Sequence, residues 1–168
     1  KQALEHLVVD GPVTNVLPNG FRAVLPAGTE VDVDIKDGHA TVDFFYVFSN
    51  YEASDELKIL QAVTWTLTQF DSVETVKLQI NGHELTEMPV NKTPITSNLS
   101  RATGINIDTS STFDITNSTP ITLYYLGGED NNYYYVPVTK RVDIKGDDMV
   151  TAVVNELVKG PGSSSNLL

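Results

Sequence analysis

Val31-Asp32-Val33-Asp34-Ile35-Lys36-Asp37-Gly38-His39-Ala40-Thr41-Val42-Asp43-Phe44 is the stretch that decides the fold. Val31, Val33 and Ile35 alternate with Asp32, Asp34 and Lys36, so a strand here has one apolar and one wet face. Asp37-Gly38 suits a two-residue turn with positive φ at both central positions, which predicts a hairpin. On the return strand Ala40, Val42 and Phe44 point inward, and Thr41 and Asp43 outward. Such a hairpin needs a second layer over its apolar face.

The following segment supplies that layer. Residues 54–70 read as a helix, with Ser54 as N-cap and Asp55 and Glu56 suiting the positive end of the helix dipole. Leu60, Val63, Leu67 and Phe70 form its apolar stripe, widened by Leu57 and Ile59. Trp65 groups with Lys58, Gln61 and Gln69 instead, either as a flank of the core or as an exposed contact residue. Val73 to Ile80 is again a strand, with Val76, Leu78 and Ile80 on one face, closed by Asn81-Gly82. Upstream, 25–29 turns into the first strand, and Asn15 to Asn19 make a loop.

Ala3 to Pro12 returns without a gap as Ala152 to Pro161. Both copies read as amphipathic helices stopped at Gly-Pro, with Gly as the left-handed cap. Leu4, Leu7 and Val8 share a face in the first. Val150, Val153, Val154, Leu157 and Val158 do so in the second, which Asp147 or Asp148 caps. So wide a spacing suggests tandem copies of one domain. Residues 1–86 then form the C-terminal portion of a first repeat unit, and 120–168 the N-terminal portion of a second.

Between them, 87–119 is a linker rich in Ser, Thr, Asn and Pro, with Ile105, Ile107 and Phe113 as isolated anchors. In the second portion, strands at 121–126 and 133–142 flank a loop at 127–132, and Pro137 requires the latter strand to be at an edge or bulged near it. Each portion alone leaves an open sheet edge, so the two strands are expected to pair with the first sheet, within or between chains.

The chain has 168 residues, 40% of them hydrophobic, enough for one sizeable core or two small ones. Twenty-two acidic against eleven basic residues give a net charge of −11. That balance argues against nucleic acid as a partner. With no Cys, disulfides, thiol nucleophiles and zinc-thiolate sites are all excluded.

Searches for chemistry point to no catalytic residue, no cofactor and no metal site. Asp32, Asp34, Asp37 and Asp43 superficially resemble a calcium loop, but Lys36 occupies a ligand position and Gly38 is out of place. A hairpin with a solvated acidic face fits better. His6, His39 and His83 are scattered, and no nucleophile motif is present. Five tyrosines crowd one predicted hairpin, where alternation sends Tyr133 and Tyr135 to one face and Tyr134 to the other. Aromatic residues favour strands in any case. Trp65, Tyr124, Tyr133 and Tyr135 are the candidate interaction surface.

Residues 25–29, the run Asp37-Gly38-His39-Ala40-Thr41-Val42-Asp43, the segment Thr66-Leu67-Thr68-Gln69-Phe70, and Val76 with Asn81-Gly82 resemble the landmarks of the GerM domain. Residues 136–141 and the helix ending at Gly160-Pro161 resemble the front of the same domain, a repeat of bacterial sporulation and spore germination proteins. The resemblance implies an α+β fold, a small mostly antiparallel sheet with two helices on one face. That architecture is also similar to the ring-building motifs of secretion and sporulation complexes.

The resemblance further implies a non-enzymatic lipoprotein outside the cytoplasmic membrane of a Gram-positive spore former, anchored by lipid beyond this chain. Its work would be protein–protein assembly between mother cell and forespore. The partners would be envelope or sporulation-complex proteins, self-association included. A peptidoglycan-binding wall module, stacking the Tyr hairpin on glycan, is the alternative.

Overall fold

The computed structural model describes residues 1–12, 21–107, 118–128, 133–143 and 148–161. The loop expected at 15–19, most of the 127–132 loop, Phe113 and Asp147 lie outside these residues. The chain divides into two compact units, Lys1–Thr103 and Gly104–Leu168.

Unit 1 contains a short helix α1 (Gln2–Glu5), strands β1 (Val31–Lys36) and β2 (His39–Phe44), helix α2 (Glu56–Leu67), and strands β3 (Thr75–Ile80) and β4 (His83–Glu84). Its sheet has the order β1-β2-β3-β4. Asp37 and Gly38 have φ of 50° and 81°, the double positive turn their sequence calls for. Asn81 and Gly82 repeat that turn between β3 and β4 with φ of 51° and 78°. β2 and β3 run parallel, which requires a crossover, and α2 provides it.

The inner face of this sheet and α2 make the core, with Ala40, Val42, Phe44, Ile59, Val63, Val76 and Leu78 essentially closed to solvent. Three expectations about α2 are corrected. Asp55, not Ser54, is its N-cap residue, because a 3₁₀ turn at Ala53–Asp55 leads into it. Leu57 and Phe70 are exposed, since Leu57 lies away from the sheet and Phe70 falls beyond the end of the helix. Along β1 burial fades from Val31 to exposed Ile35, because β1 is the edge strand.

Two further corrections concern the ends of the unit. The first helix closes at Glu5, and Val8 instead forms a bridge with Leu25. The left-handed residue there is Asp10, with φ 63°. Gly11 is needed for space, because a Cβ would lie 2.6 Å from the Glu5 carbonyl oxygen. Residues 87–103 are not linker: Met88 and Leu99 are buried, and Leu99 exchanges both backbone hydrogen bonds with Val76.

Unit 2 is a two-stranded antiparallel sheet, β5 (Ser118–Gly127) with β6 (Tyr134–Asp143), and a helix α3 (Met149–Lys159). Here Asp148 is the cap, its carboxylate accepting from the Thr151 amide. Pro137 stands in β6 opposite Tyr124, tolerated because each strand of a two-stranded sheet is an edge. Within the chain the expected pairing of these strands with the first sheet does not occur: among the described residues the sheets are separate. Mixed helices and mostly antiparallel sheets make the chain α+β.

Candidate functional site

The register of β5 and β6 places Tyr124 opposite Pro137 and Leu126 opposite Tyr135. Paired residues of an antiparallel ladder share a face, so these four form one surface. Tyr124, Leu126 and Tyr135 are exposed there, Tyr135 to 72%, and Tyr133 is exposed just before β6. On the opposite face Leu123, Val136 and Val138 are buried. The Tyr125 hydroxyl donates to the Glu156 carbonyl oxygen, which ties that face to α3.

Trp65 does not join this surface. It is only 5% exposed, and the Arg101 guanidinium lies 4.6 Å over its ring. Arg101 Nε also donates to Thr68 Oγ1, so the segment after β4 closes over the indole. Trp65 is therefore buried at the flank of the core and is not part of the exposed face.

A buried carboxylate is the strongest electrostatic feature, and the sequence reading missed its role. Glu56 is 1% exposed at the start of α2. Its Oε1 accepts from the Tyr51 hydroxyl and the amides of Val90 and Asn91, and its Oε2 from the Thr93 amide. Burial alone would push its pKa up, but hydrogen bonds from Thr93, Asn91 and Tyr51 outweigh that and hold it at about 2. Burial and the same contact push the Tyr51 hydroxyl well above its ordinary value. Glu56 is a clasp with both carboxylate oxygens engaged as acceptors, not a group aimed at solvent.

In unit 2 the Lys140 ammonium donates to the Gly160 carbonyl oxygen at 2.7 Å and lies 3.8 Å from Glu156. A cation at the carbonyl end of α3 complements the helix dipole. Asp43, one of the acidic residues suggestive of a calcium loop, instead accepts the Gly82 amide on both carboxylate oxygens. Among the described residues no three His, Asp or Glu side chains gather as metal ligands. His6, His39 and His83 are on separate elements, and His39 Nδ1 lies 2.6 Å from Thr75 Oγ1.

Comparison with known proteins places the chain. The family profile Germane, described as sporulation and spore germination, matches residues 1–86. The spore germination protein GerM of Bacillus subtilis strain 168 is 59% identical over 169 residues, all of this chain and 46% of that protein. The solved tandem GerMN domains of the sporulation protein GerM from Bacillus subtilis superpose with a TM-score of 0.91 at 58% identity, covering 100% of this chain and 60% of that one. A structure of the first GerMN domain alone gives 0.59 at 66% identity, over 60% of this chain and 77% of that one. The chain thus spans about half the length of the curated relative it matches. With just over half of its residues inside the family profile, the chain belongs to the Germane family of sporulation and spore germination proteins.

Proposed function

We propose that this chain acts without catalysis, by assembling with other envelope proteins at the membrane between mother cell and forespore. In this reading it lies outside the cytoplasmic membrane, held by a lipid anchor outside this sequence, and its two units are portions of successive GerM repeats. Among the described residues no helix is long and apolar enough to cross a membrane, which suits an anchored protein.

The observation that carries the assembly reading is the surface of Tyr124, Leu126 and Tyr135. Exposed aromatic and aliphatic side chains gathered on one sheet face are the composition of a contact surface. Photo-crosslinking from position 126 in sporulating cells should give adducts with defined envelope proteins. Tyr124→Ser, Leu126→Ser and Tyr135→Ser together should lower the count of heat-resistant spores. Absent adducts with an unchanged spore count would sink the reading.

The exposed Tyr133 and Tyr135 rings favour one second reading, stacking on the glycan of the wall. Co-sedimentation with purified peptidoglycan decides it: binding abolished by Tyr133→Ala with Tyr135→Ala supports the wall, and no pelleting removes it.

A further inference from the structure

We propose that the outer face of the unit 1 sheet carries a binding site for short peptides with both a free amine and a free carboxylate. The register builds it in two rows. Lys36 pairs with His39, which pairs with Thr75 on β3. One step along, Asp34 pairs with Thr41, which pairs with Lys77. The mutual hydrogen bonds of Val76 and Leu99 bring Asn98 beside Lys77, extending the second row. With Asp37 at the turn, Asp34, Lys36, His39, Thr41, Lys77 and Asn98 line an open cavity of about 450 Å³.

Its charges are unspent. Arg22, Lys58, Lys92, Lys140 and Lys159 each meet a carboxylate. The side chains of Lys36 and Lys77 make no hydrogen bond or ion pair among the described residues, and neither do those of Asp34, Asp37 and Asn98. Two free cations and two free anions in one cavity are unusual for a chain with a twofold acidic excess. The frame is fixed, because the Gly38 carbonyl oxygen accepts from the Glu74 and Thr75 amides at 2.8 and 3.2 Å.

The mixture of signs selects the ligand. A simple anion is repelled by Asp34 and Asp37, a simple cation by Lys36 and Lys77, and no Phe, Tyr or Trp lines the cavity for a sugar to stack on. A molecule with a carboxylate at one end and an ammonium at the other satisfies both. Neighbouring strands are about 4.8 Å apart and alternate residues about 6.8 Å, so the opposed charges are spaced by about one dipeptide length. The site does not depend on the assembly reading, since it lies on unit 1 and the tyrosine surface on unit 2.

The test is an amide-resolved NMR titration of the whole chain with L-alanyl-L-alanine, its N-acetyl form and its C-terminal amide. Saturable shifts at Thr41, Lys77 and Asn98 are expected with the free dipeptide, and at least tenfold weaker binding for each blocked form. Lys36→Gln with Lys77→Gln should abolish the shifts, and Asp34→Asn should weaken them several-fold. If the double variant loses its fold, Lys77→Gln alone decides, and undiminished binding to it overturns the site. So does an absence of saturation below about 50 mM, or equal binding of blocked and free forms.

Discussion

The two copies of the repeated segment carry nearly the same pattern of apolar residues and end up in opposite surroundings. In the first, Leu4 is fully buried and Val8 nearly so, pinned where the Val24 and Leu25 amides donate to the Leu7 carbonyl oxygen. In the second, Leu157, which corresponds to Val8, is 45% exposed, and Val150, Val154 and Val158 are also exposed. Only Ala152 is buried along α3. The apolar pattern therefore sets which face of the helix is available, and the neighbouring element decides whether it is covered. Where apolar cover is thin, polar anchors substitute: the Asp148 cap, the Lys140 contact with Gly160, and the Tyr125 hydroxyl on Glu156.

The largest effect belongs to the buried clasp of unit 1, which has no counterpart of its kind among the described residues of unit 2. Glu56→Ala leaves the Val90, Asn91 and Thr93 amides and the Tyr51 hydroxyl without their acceptor, and should destabilise unit 1 by about 4 kcal/mol. The folded pKa is depressed, so the stabilisation is complete above the ordinary value of 4.5 and is lost as pH falls toward about 2. An acid titration of wild type should show unit 1 losing hydrogen-exchange protection across that window, a slope that Glu56→Gln flattens.

A direct challenge to the comparison sets the buried leucine of the first copy against the exposed leucine of the second. Leu4→Ala should cost about 3 kcal/mol, whereas Leu157→Ala should cost less than about 1 kcal/mol. Chemical denaturation followed by unit-specific amide signals measures both. Equal costs would mean that α3 is as well covered as α1.

Smaller still, Lys140→Met removes the hydrogen bond to Gly160 and the cation beside Glu156. It should lower the protection of the last turn of α3 by about 1–2 kcal/mol and leave unit 1 unchanged. A larger loss there would show that polar anchors carry more of unit 2 than its apolar contacts. The smallest expected signal is none: calcium titration should give no stoichiometric micromolar heat, because Asp43 is engaged with Gly82 and Asp32 and Asp34 are on a strand. A tight site lost in Asp32→Asn with Asp34→Asn would reverse that assignment.

Much of this was legible in the sequence because it is local. The Asp37-Gly38 and Asn81-Gly82 turns, the Leu60-Val63-Leu67 stripe and a cap at Asp147 or Asp148 each follow from a few adjacent residues. The failures needed distant information. Phe70 and Leu57 belong to the right periodicity but are left exposed among the described residues, and so is most of the stripe of α3. Residues 87–103 looked like linker because Met88 and Leu99 are isolated hydrophobes in a polar run, and only the existing sheet and helix give them a core to enter. Glu56 was read as a favourable charge for a helix start, and nothing local announces that its acceptors serve amides at 90–93. At the candidate surface, strand alternation grouped Tyr133 with Tyr135 but could not say which face meets solvent, while the burial of Trp65 depends on Arg101, far along the chain.

The Glu56 clasp also imposes an order on synthesis. A chain emerging N-terminus first makes α2 well before residues 90–93. Until those amides arrive, folding α2 against the sheet would bury a bare carboxylate, which is strongly unfavourable. Closure of unit 1 is therefore withheld until the segment through Leu99 is present, and the last strip of sequence added is the one that permits the rest to lock. A nascent chain stalled before residue 90 should remain open to protease, and one stalled with residue 103 clear of the ribosome should not.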